Sequence, residues 1–102
     1  MTATQNRKRG KRNERALAKL LGGQRVGLLG KEDISMSLFS AEVKVMQEFP
    51  KRIAKDMSQA RGNAPAGKIP ILIWHEIHSR RENDLVIVGL RDWIDLHGEV
   101  SE

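Results

Sequence analysis

The stretch Asp33-Ile34-Ser35-Met36-Ser37-Leu38-Phe39-Ser40-Ala41-Glu42-Val43-Lys44-Val45 decides how the chain folds. From Phe39 to Val45 polar and apolar residues alternate, the period of a half-buried strand. Ala41, Val43 and Val45 project to one face, toward a hydrophobic layer. Glu42 and Lys44, two residues apart, project to the other, into a cleft. Asp33–Met36 reads as the preceding strand and Gln24–Leu28 as a short first one, with Gly27 and Gly30 bracketing the turn between them.

Outward from this meander the pattern becomes helical. Leu17, Ala18, Leu20 and Leu21 form an apolar stripe on a helix that begins near Lys11 and stops at Gly22-Gly23. Pro50 suits the first turn of a second helix that runs to about Arg61, with Ile53, Ala54, Met57 and Ala60 inward and Gly62 at its end. Asn63–Lys68 reads as a loop. Ile69–Ile77 is apolar enough to be a central strand. Leu85–Leu90 follows as another strand and Arg91–Leu96 as a closing helical turn. The expected order is α-β-β-β-α-β-β-α, an α/β chain with one domain over residues 10–102 behind a flexible basic arm, residues 1–9.

The chain has 102 residues, 18 Lys+Arg against 13 Asp+Glu, and a net charge of +5. Residues 1–25 hold eight of the basic residues and one acid, Glu14, for about +7, so the remainder carries about −2. A block this lopsided, Arg7, Lys8, Arg9, Lys11, Arg12 and Arg15, suits a polyanion such as DNA. The first twelve residues offer no apolar face for a membrane, and no apolar run is long enough to span one. The basic start without an apolar run reads against a secretory signal. Zero Cys excludes a disulfide scaffold, a thiolate zinc site and a Cys nucleophile, and fits a cytosolic setting.

Two motif matches fail on context. Gly62-Asn63-Ala64-Pro65-Ala66-Gly67-Lys68 follows the first seven places of a phosphate-binding P-loop. The eighth is Ile69, without a hydroxyl for Mg²⁺, and the segment follows a helix instead of a strand. His75-Glu76-Ile77-His78 has its histidines three apart in an expected strand, on opposite faces, where a zinc-protease helix needs four. Trp74 and Trp93 read as core or interface anchors.

Four polar positions ask for another explanation. Glu14 shares the inward face of Leu17 and Leu21, where a carboxylate is costly without a partner. Asp33 opens a strand, and Glu42 and Lys44 share one face of the next. Three carboxylates and a lysine suit metal-dependent phosphodiester cleavage, because Mg²⁺ or Mn²⁺ prefers carboxylate and water oxygens. Lys44 then orients or deprotonates the attacking water, or stabilises the pentacovalent phosphate as a cation. The plain alternative is a surface salt bridge between Glu42 and Lys44.

Asn13-Glu14, Gly30-Lys31-Glu32-Asp33-Ile34 and Phe39-Ser40-Ala41-Glu42-Val43-Lys44 together resemble the PD-(D/E)xK nuclease superfamily, and within it archaeal-type Holliday junction resolvases and related small phage endonucleases. The resemblance covers residues 10–96. It implies a restriction-endonuclease-like mixed β-sheet flanked by helices, two metal positions and often a homodimer. By position, Asp33 and Glu42 are the implied metal ligands with the Val43 carbonyl assisting. Glu14 supports a metal or its water shell, and Lys44 is the catalytic lysine. Gln59, on the second helix, stands where related nucleases place a polar active-site residue, although its helical face also suits a solvated glutamine. Glu32 replaces the proline of the motif's name, and strand alternation turns it or Asp33 away from the site.

The expected activity is therefore a Mg²⁺-dependent endodeoxyribonuclease on branched DNA, a Holliday junction resolvase above all, in a prokaryotic or phage-infected cytoplasm. Arg7–Arg15 and Lys31 would contact phosphates, which give affinity without sequence information. Symmetric cutting of a four-way junction needs two sites on a two-fold axis, hence a homodimer, with Trp93, Ile94 and Leu96 as candidate interface residues. Nicking, flap or single-strand cleavage, non-catalytic DNA binding on the same fold, and an RNA-binding module are the alternatives.

Overall fold

A computed structural model describes residues 3–26 and 32–97. The expected turn at Gly27 and Gly30 and the expected phosphate contact Lys31 lie outside the described residues. The elements are α1 (Ala3–Leu21), β1 (Gln24–Arg25), β2 (Ile34–Ser35), β3 (Ser40–Ala41), α2 (Lys51–Asn63), β4 (Ile71–Trp74), a 3-10 turn (Arg81–Asn83), β5 (Leu85–Val88) and α3 (Leu90–His97). The class is mixed α/β, and the order of helices and strands is the expected one. Among the described residues the strands form two small antiparallel sheets instead of one mixed sheet. The chain divides into two compact units, Met1–Gln47 with His97–Glu102, and Glu48–Leu96.

In the first unit α1 begins at Ala3, so the basic segment read as a flexible arm is helical. Ala, Gln, Arg and Lys are good helix formers, and no proline interrupts them before Leu21. The helix ends at Gly22 (φ 68°), with Gly22 N–H bonding Lys19 O at 3.3 Å and Gly23 N–H bonding Ala18 O at 2.9 Å, a Schellman closure. Gly23 then passes tightly over β2, where an added Cβ would lie 2.7 Å from the Ser35 carbonyl oxygen. The sheet order is β1-β2-β3, with Arg25 opposite Ile34 and Ile34 opposite Ala41. Ile34, fully buried, and Ala18 are the core of this unit.

In the second unit Pro50 is the N-cap of α2, one position before the expected first turn. Gly62 does not end the helix. Ala64 does, in an extended conformation (φ −71°, ψ 125°), because Pro65 disfavours helical geometry in the residue before it. Pro65–Lys68 is a turn closed by Lys68 N–H to Pro65 O at 3.1 Å, with Gly67 at φ 84°. The P-loop match is thus a helix end and a turn. β4 is shorter than the expected Ile69–Ile77 strand and pairs with β5, Ile71 opposite Val88 through Trp74 opposite Leu85. Only one of its faces is covered: Leu72 and Trp74 are half-buried near α2, whereas Ile71 and Ile73 are 47% and 55% exposed. A central strand needs neighbours on both edges and cover on both faces, which a two-stranded ribbon does not give. Among the described residues no helix is long and apolar enough to cross a membrane.

Candidate functional site

Asp33 sits at the bend that leads into β2 and is held at both ends. Its N–H bonds the Ala41 carbonyl at 2.9 Å, its carbonyl accepts the Val26 N–H at 2.9 Å, and its Oδ2 accepts the Val43 N–H at 2.6 Å. A carboxylate bonded to a backbone N–H is among the stronger hydrogen bonds of a protein. Asp33 therefore grips the residues on either side of Glu42, and the first acid of the motif is fastened to the Glu42-Val43-Lys44 segment.

Glu42 and Lys44 are exposed and paired, with Lys44 Nζ 3.4 Å from Glu42 Oε1. An exposed pair of this kind contributes about 0–1 kcal/mol, so it leaves both groups free to exchange partners. An open depression of about 340 Å³ is lined by Glu32, Ser40, Ala41 and Glu42. Glu32, the competitor of Asp33 in the sequence, is the residue that lines it, because the bend at residues 32–33 interrupts strict alternation before β2 starts.

Glu14 lies on the inward face of α1 as expected, but its carboxylate belongs to a different partner. Arg25 Nε donates to Glu14 Oε2 at 2.8 Å, with side chains 27% and 20% exposed respectively. The guanidinium supplies what a half-buried carboxylate requires, and it ties α1 to β1. The sequence carried a signal for it: Arg25 is the one basic residue between Leu20 and Gly30. Glu14, Asp33 and Glu42 do not converge, and among the described residues no three His, Asp or Glu side chains gather to hold a metal ion.

The remaining donors, the Asp33 and Glu42 carboxylates and the Val43 carbonyl, are oxygen ligands of the type that a hydrated Mg²⁺ takes, with one Asp33 oxygen already accepting the Val43 N–H. That ion takes one or two carboxylates and completes its shell with water and phosphate oxygens. Glu14, held by Arg25, does not fit the set. Arg7, Lys8, Arg9, Lys11, Arg12 and Arg15 are all exposed on α1. Gln59 is exposed on α2, in the other unit.

The second unit carries a His-Asp pair that the sequence pattern does not reveal. His75 falls just past β4, and its Nδ1 lies 2.6 Å from Asp84 Oδ1. A cavity of about 480 Å³ beside them is lined by Trp74, Glu76, Ser79, Asn83 and Leu85 as well. His78 is in a turn at φ 72°, so neither histidine is in the expected strand. On α2, Asp56 Oδ2 accepts Arg52 Nε at 2.9 Å and Trp74 Nε1 at 3.4 Å. The Arg52 hydrogen bond, more than any other contact, lowers the Asp56 carboxyl below its ordinary 3.8, against a smaller opposing effect of desolvation. No protein-family model, curated protein or solved structure matches the chain.

Proposed function

We propose that the chain is a Mg²⁺-dependent endodeoxyribonuclease with a PD-(D/E)xK-type site and a restriction-endonuclease-like arrangement, acting on branched DNA as a homodimer. The observation that carries this reading is the Asp33 clasp on Ala41 and Val43, which fastens the strand-opening acid to the Glu-x-Lys segment. Supporting it are the exposed basic face of α1 and the exposure of Glu42 and Lys44, which leaves them open to a substrate.

Asp33, Glu42 and the Val43 carbonyl would hold the ion. When bound, Mg²⁺ polarises the phosphate and acidifies a coordinated water. Lys44 is the catalytic residue of the chain's own chemistry. Its ammonium, in an exposed pair with Glu42 that exchanges partners readily, would orient the attacking water and offset charge on the non-bridging phosphate oxygens. The water oxygen would bond to phosphorus as the bond to one ribose oxygen breaks, with the proton shed by the attacking water passing to solvent and the leaving oxygen taking one from solvent. Glu14 acts through Arg25 as a structural tie between α1 and the sheet. Phosphate contacts along α1 give affinity without sequence information, so shape selects the substrate. One site cuts one strand, and a two-fold pair of sites would cut a junction symmetrically.

The test is cleavage of matched four-way, flap and linear duplex DNAs with Mg²⁺ or Mn²⁺, for the wild type and Asp33→Asn. The expected result is junction cleavage that Asp33→Asn abolishes while DNA binding persists. Equal cutting of all three substrates removes the junction preference, and no cutting with either metal removes the enzyme. A second reading, DNA binding without cleavage, is favoured by one observation: Arg25 neutralises the third acid of the motif. Binding by the wild type and Asp33→Asn alike, with no cleavage by either, would establish it.

A further inference from the structure

The helical state of residues 3–21 changes what the basic segment can do. Each residue of an α-helix advances about 100° and 1.5 Å. Among residues 7–21 of α1, Gly10, Glu14, Leu17, Ala18 and Leu21 are the buried or half-buried positions, and they occupy one sector of about 100°. Lys8, Lys11, Arg12, Arg15 and Lys19 are all exposed and fall in a second sector of about 100°, centred about 120° from the first. These five cations form a straight stripe about 16 Å long with no acidic residue in it. Arg7 and Arg9 fall outside the stripe, roughly 40–60° beyond its two edges. Glu14, the only acid of the helix, faces the sheet and is neutralised by Arg25, so it does not oppose the stripe.

We infer that α1 binds the phosphate backbone of duplex DNA as a rigid rail, through Lys8, Lys11, Arg12, Arg15 and Lys19, with Arg7 and Arg9 off the contact line. This rests on the DNA-binding half of the proposed function. It differs from a flexible basic arm in two respects. It recruits Lys19, at the far end of the helix, and it demotes Arg7 and Arg9, which a flexible arm would use as readily as any other cation. The stripe carries no amide or carboxylate side chain suited to reading base edges, so the contact is one of charge and shape. A DNA duplex places a negative charge every 1.7 Å or so along its axis, ample for five cations on a rail of this length. Leu17, Ala18 and Leu21 of α1 are buried or half-buried, and the single exposed Leu20 is too little apolar surface to insert into a lipid surface.

Five phosphate contacts give a slope of log affinity on log salt of about −4 to −5, and each contact removed takes away about 0.9. At 0.1 M salt one contact is then worth about eightfold in affinity. The experiment is fluorescence anisotropy of a labelled linear duplex against KCl without divalent metal, for the full chain and for Lys19→Gln, Arg9→Gln and Gly10→Ala. Circular dichroism on each variant checks the helix.

Lys19→Gln is expected to lose about eightfold and to flatten the slope by about 0.9, while Arg9→Gln changes affinity by less than about twofold. Gly10→Ala, at a position where an added Cβ meets nothing within 4 Å, stiffens the helix and should hold or raise affinity. Equal losses for Arg9→Gln and Lys19→Gln, or a loss for Gly10→Ala, would overturn the rail in favour of a flexible arm. Absence of duplex binding, or equally tight binding to anionic vesicles or to RNA duplex, would overturn it as well. Cleavage assayed separately keeps the two readings apart. Stripe-dependent binding without metal-dependent cutting leaves the rail standing and removes the nuclease. Cutting that is indifferent to Lys19 does the reverse.

Discussion

Replacing Arg25 separates a structural Glu14 from a metal-binding one. Arg25 Nε and Glu14 Oε2 are 2.8 Å apart, and the two side chains keep 27% and 20% of their exposure. Exposed pairs are worth about 0.2–1 kcal/mol in double-mutant cycles. Removing one partner from a fully buried pair costs about 3–5 kcal/mol, because the other charge is left without compensation. This pair lies between those limits, nearer the buried one, so Arg25→Ala should cost about 2 kcal/mol and lower Tm by roughly 8–16 °C in a chain of this size. Glu14→Gln keeps the shape and one acceptor and should cost less, about 1 kcal/mol. The double variant Glu14→Gln/Arg25→Ala should recover part of the loss, giving a coupling energy of about 1 kcal/mol. Urea unfolding of the four proteins measures the cycle, and cleavage per folded molecule is measured alongside it. A tie between α1 and the sheet shifts stability and leaves activity per folded molecule within a few-fold. Additive single losses, or a hundredfold drop in activity for Glu14→Gln with unchanged stability, would refute the structural assignment and return Glu14 to the metal.

Gly23→Ala should destabilise the chain by about 1–3 kcal/mol by overpacking, since the new Cβ would meet Ser35 O at 2.7 Å, Met36 Cγ at 2.8 Å and Ile34 Cγ2 at 2.9 Å. Two of those atoms belong to β2, so relief requires the end of α1 to lift from the sheet, and a Tm equal to wild type would contradict the close approach. Asp56 should titrate below 3.8, with Arg52→Gln moving its midpoint back up, as followed by carboxyl NMR shifts. Because the folded value is depressed, the stability it supplies is present above the unfolded value and is lost as pH falls through the folded one. The wild type and Arg52→Gln should therefore differ above about pH 4 and converge in stronger acid, and a difference that grows on acidification would contradict the assignment.

Local pattern reported what local forces decide. The stripe at Leu17–Leu21 and the apolar run before His75 became the expected type of element, whereas in the period-two run at Phe39–Val45 only Ser40–Ala41 is strand, and Val45 is exposed instead of facing a hydrophobic layer. What the pattern missed was settled by competition between signals. Gly62 and Pro65 both mark a helix end. Glycine costs only about 1 kcal/mol inside a helix, whereas the residue before a proline is sterically pushed out of it, so the proline decided. The polar composition of residues 1–9 reads as a disordered arm because it offers no apolar surface to bury, yet residues 3–9 continue α1. The apolarity of Ile69–Ile77 suggests a central strand, but apolar composition does not supply cover, and Ile71 and Ile73 are exposed. In the site, alternation put Glu42 and Lys44 together on a strand, whereas they form an exposed pair past the end of β3, and it could not foresee that the bend at Glu32-Asp33 would turn Asp33 onto the Val43 N–H. The Arg25 partner of Glu14 is a contact across 11 residues, legible only as a requirement that some cation must meet.

The charge at the site makes Asp33→Asn informative before any metal is added. Glu32, Asp33, Glu42 and Lys44 sum to −2 in the absence of a cation, on the same unit whose α1 carries the basic stripe. Under the proposed reading, a phosphate drawn in by α1 would be repelled at the carboxylates unless a cation intervened. One charge about 6 Å from a phosphate in high dielectric is worth about 0.7 kcal/mol, or roughly threefold in affinity. Asp33→Asn should thus tighten metal-free duplex binding by about twofold to threefold while abolishing cleavage with Mg²⁺. The Asn side-chain oxygen still accepts the Val43 N–H, so the clasp on the Glu42 segment survives and the change reads charge instead of unfolding. A surface acid remote from the DNA would leave metal-free affinity unchanged. A general loss of fold would weaken it. Only a carboxylate facing the phosphate gives tighter binding together with lost cutting, and that combination is what a two-acid Mg²⁺ site requires.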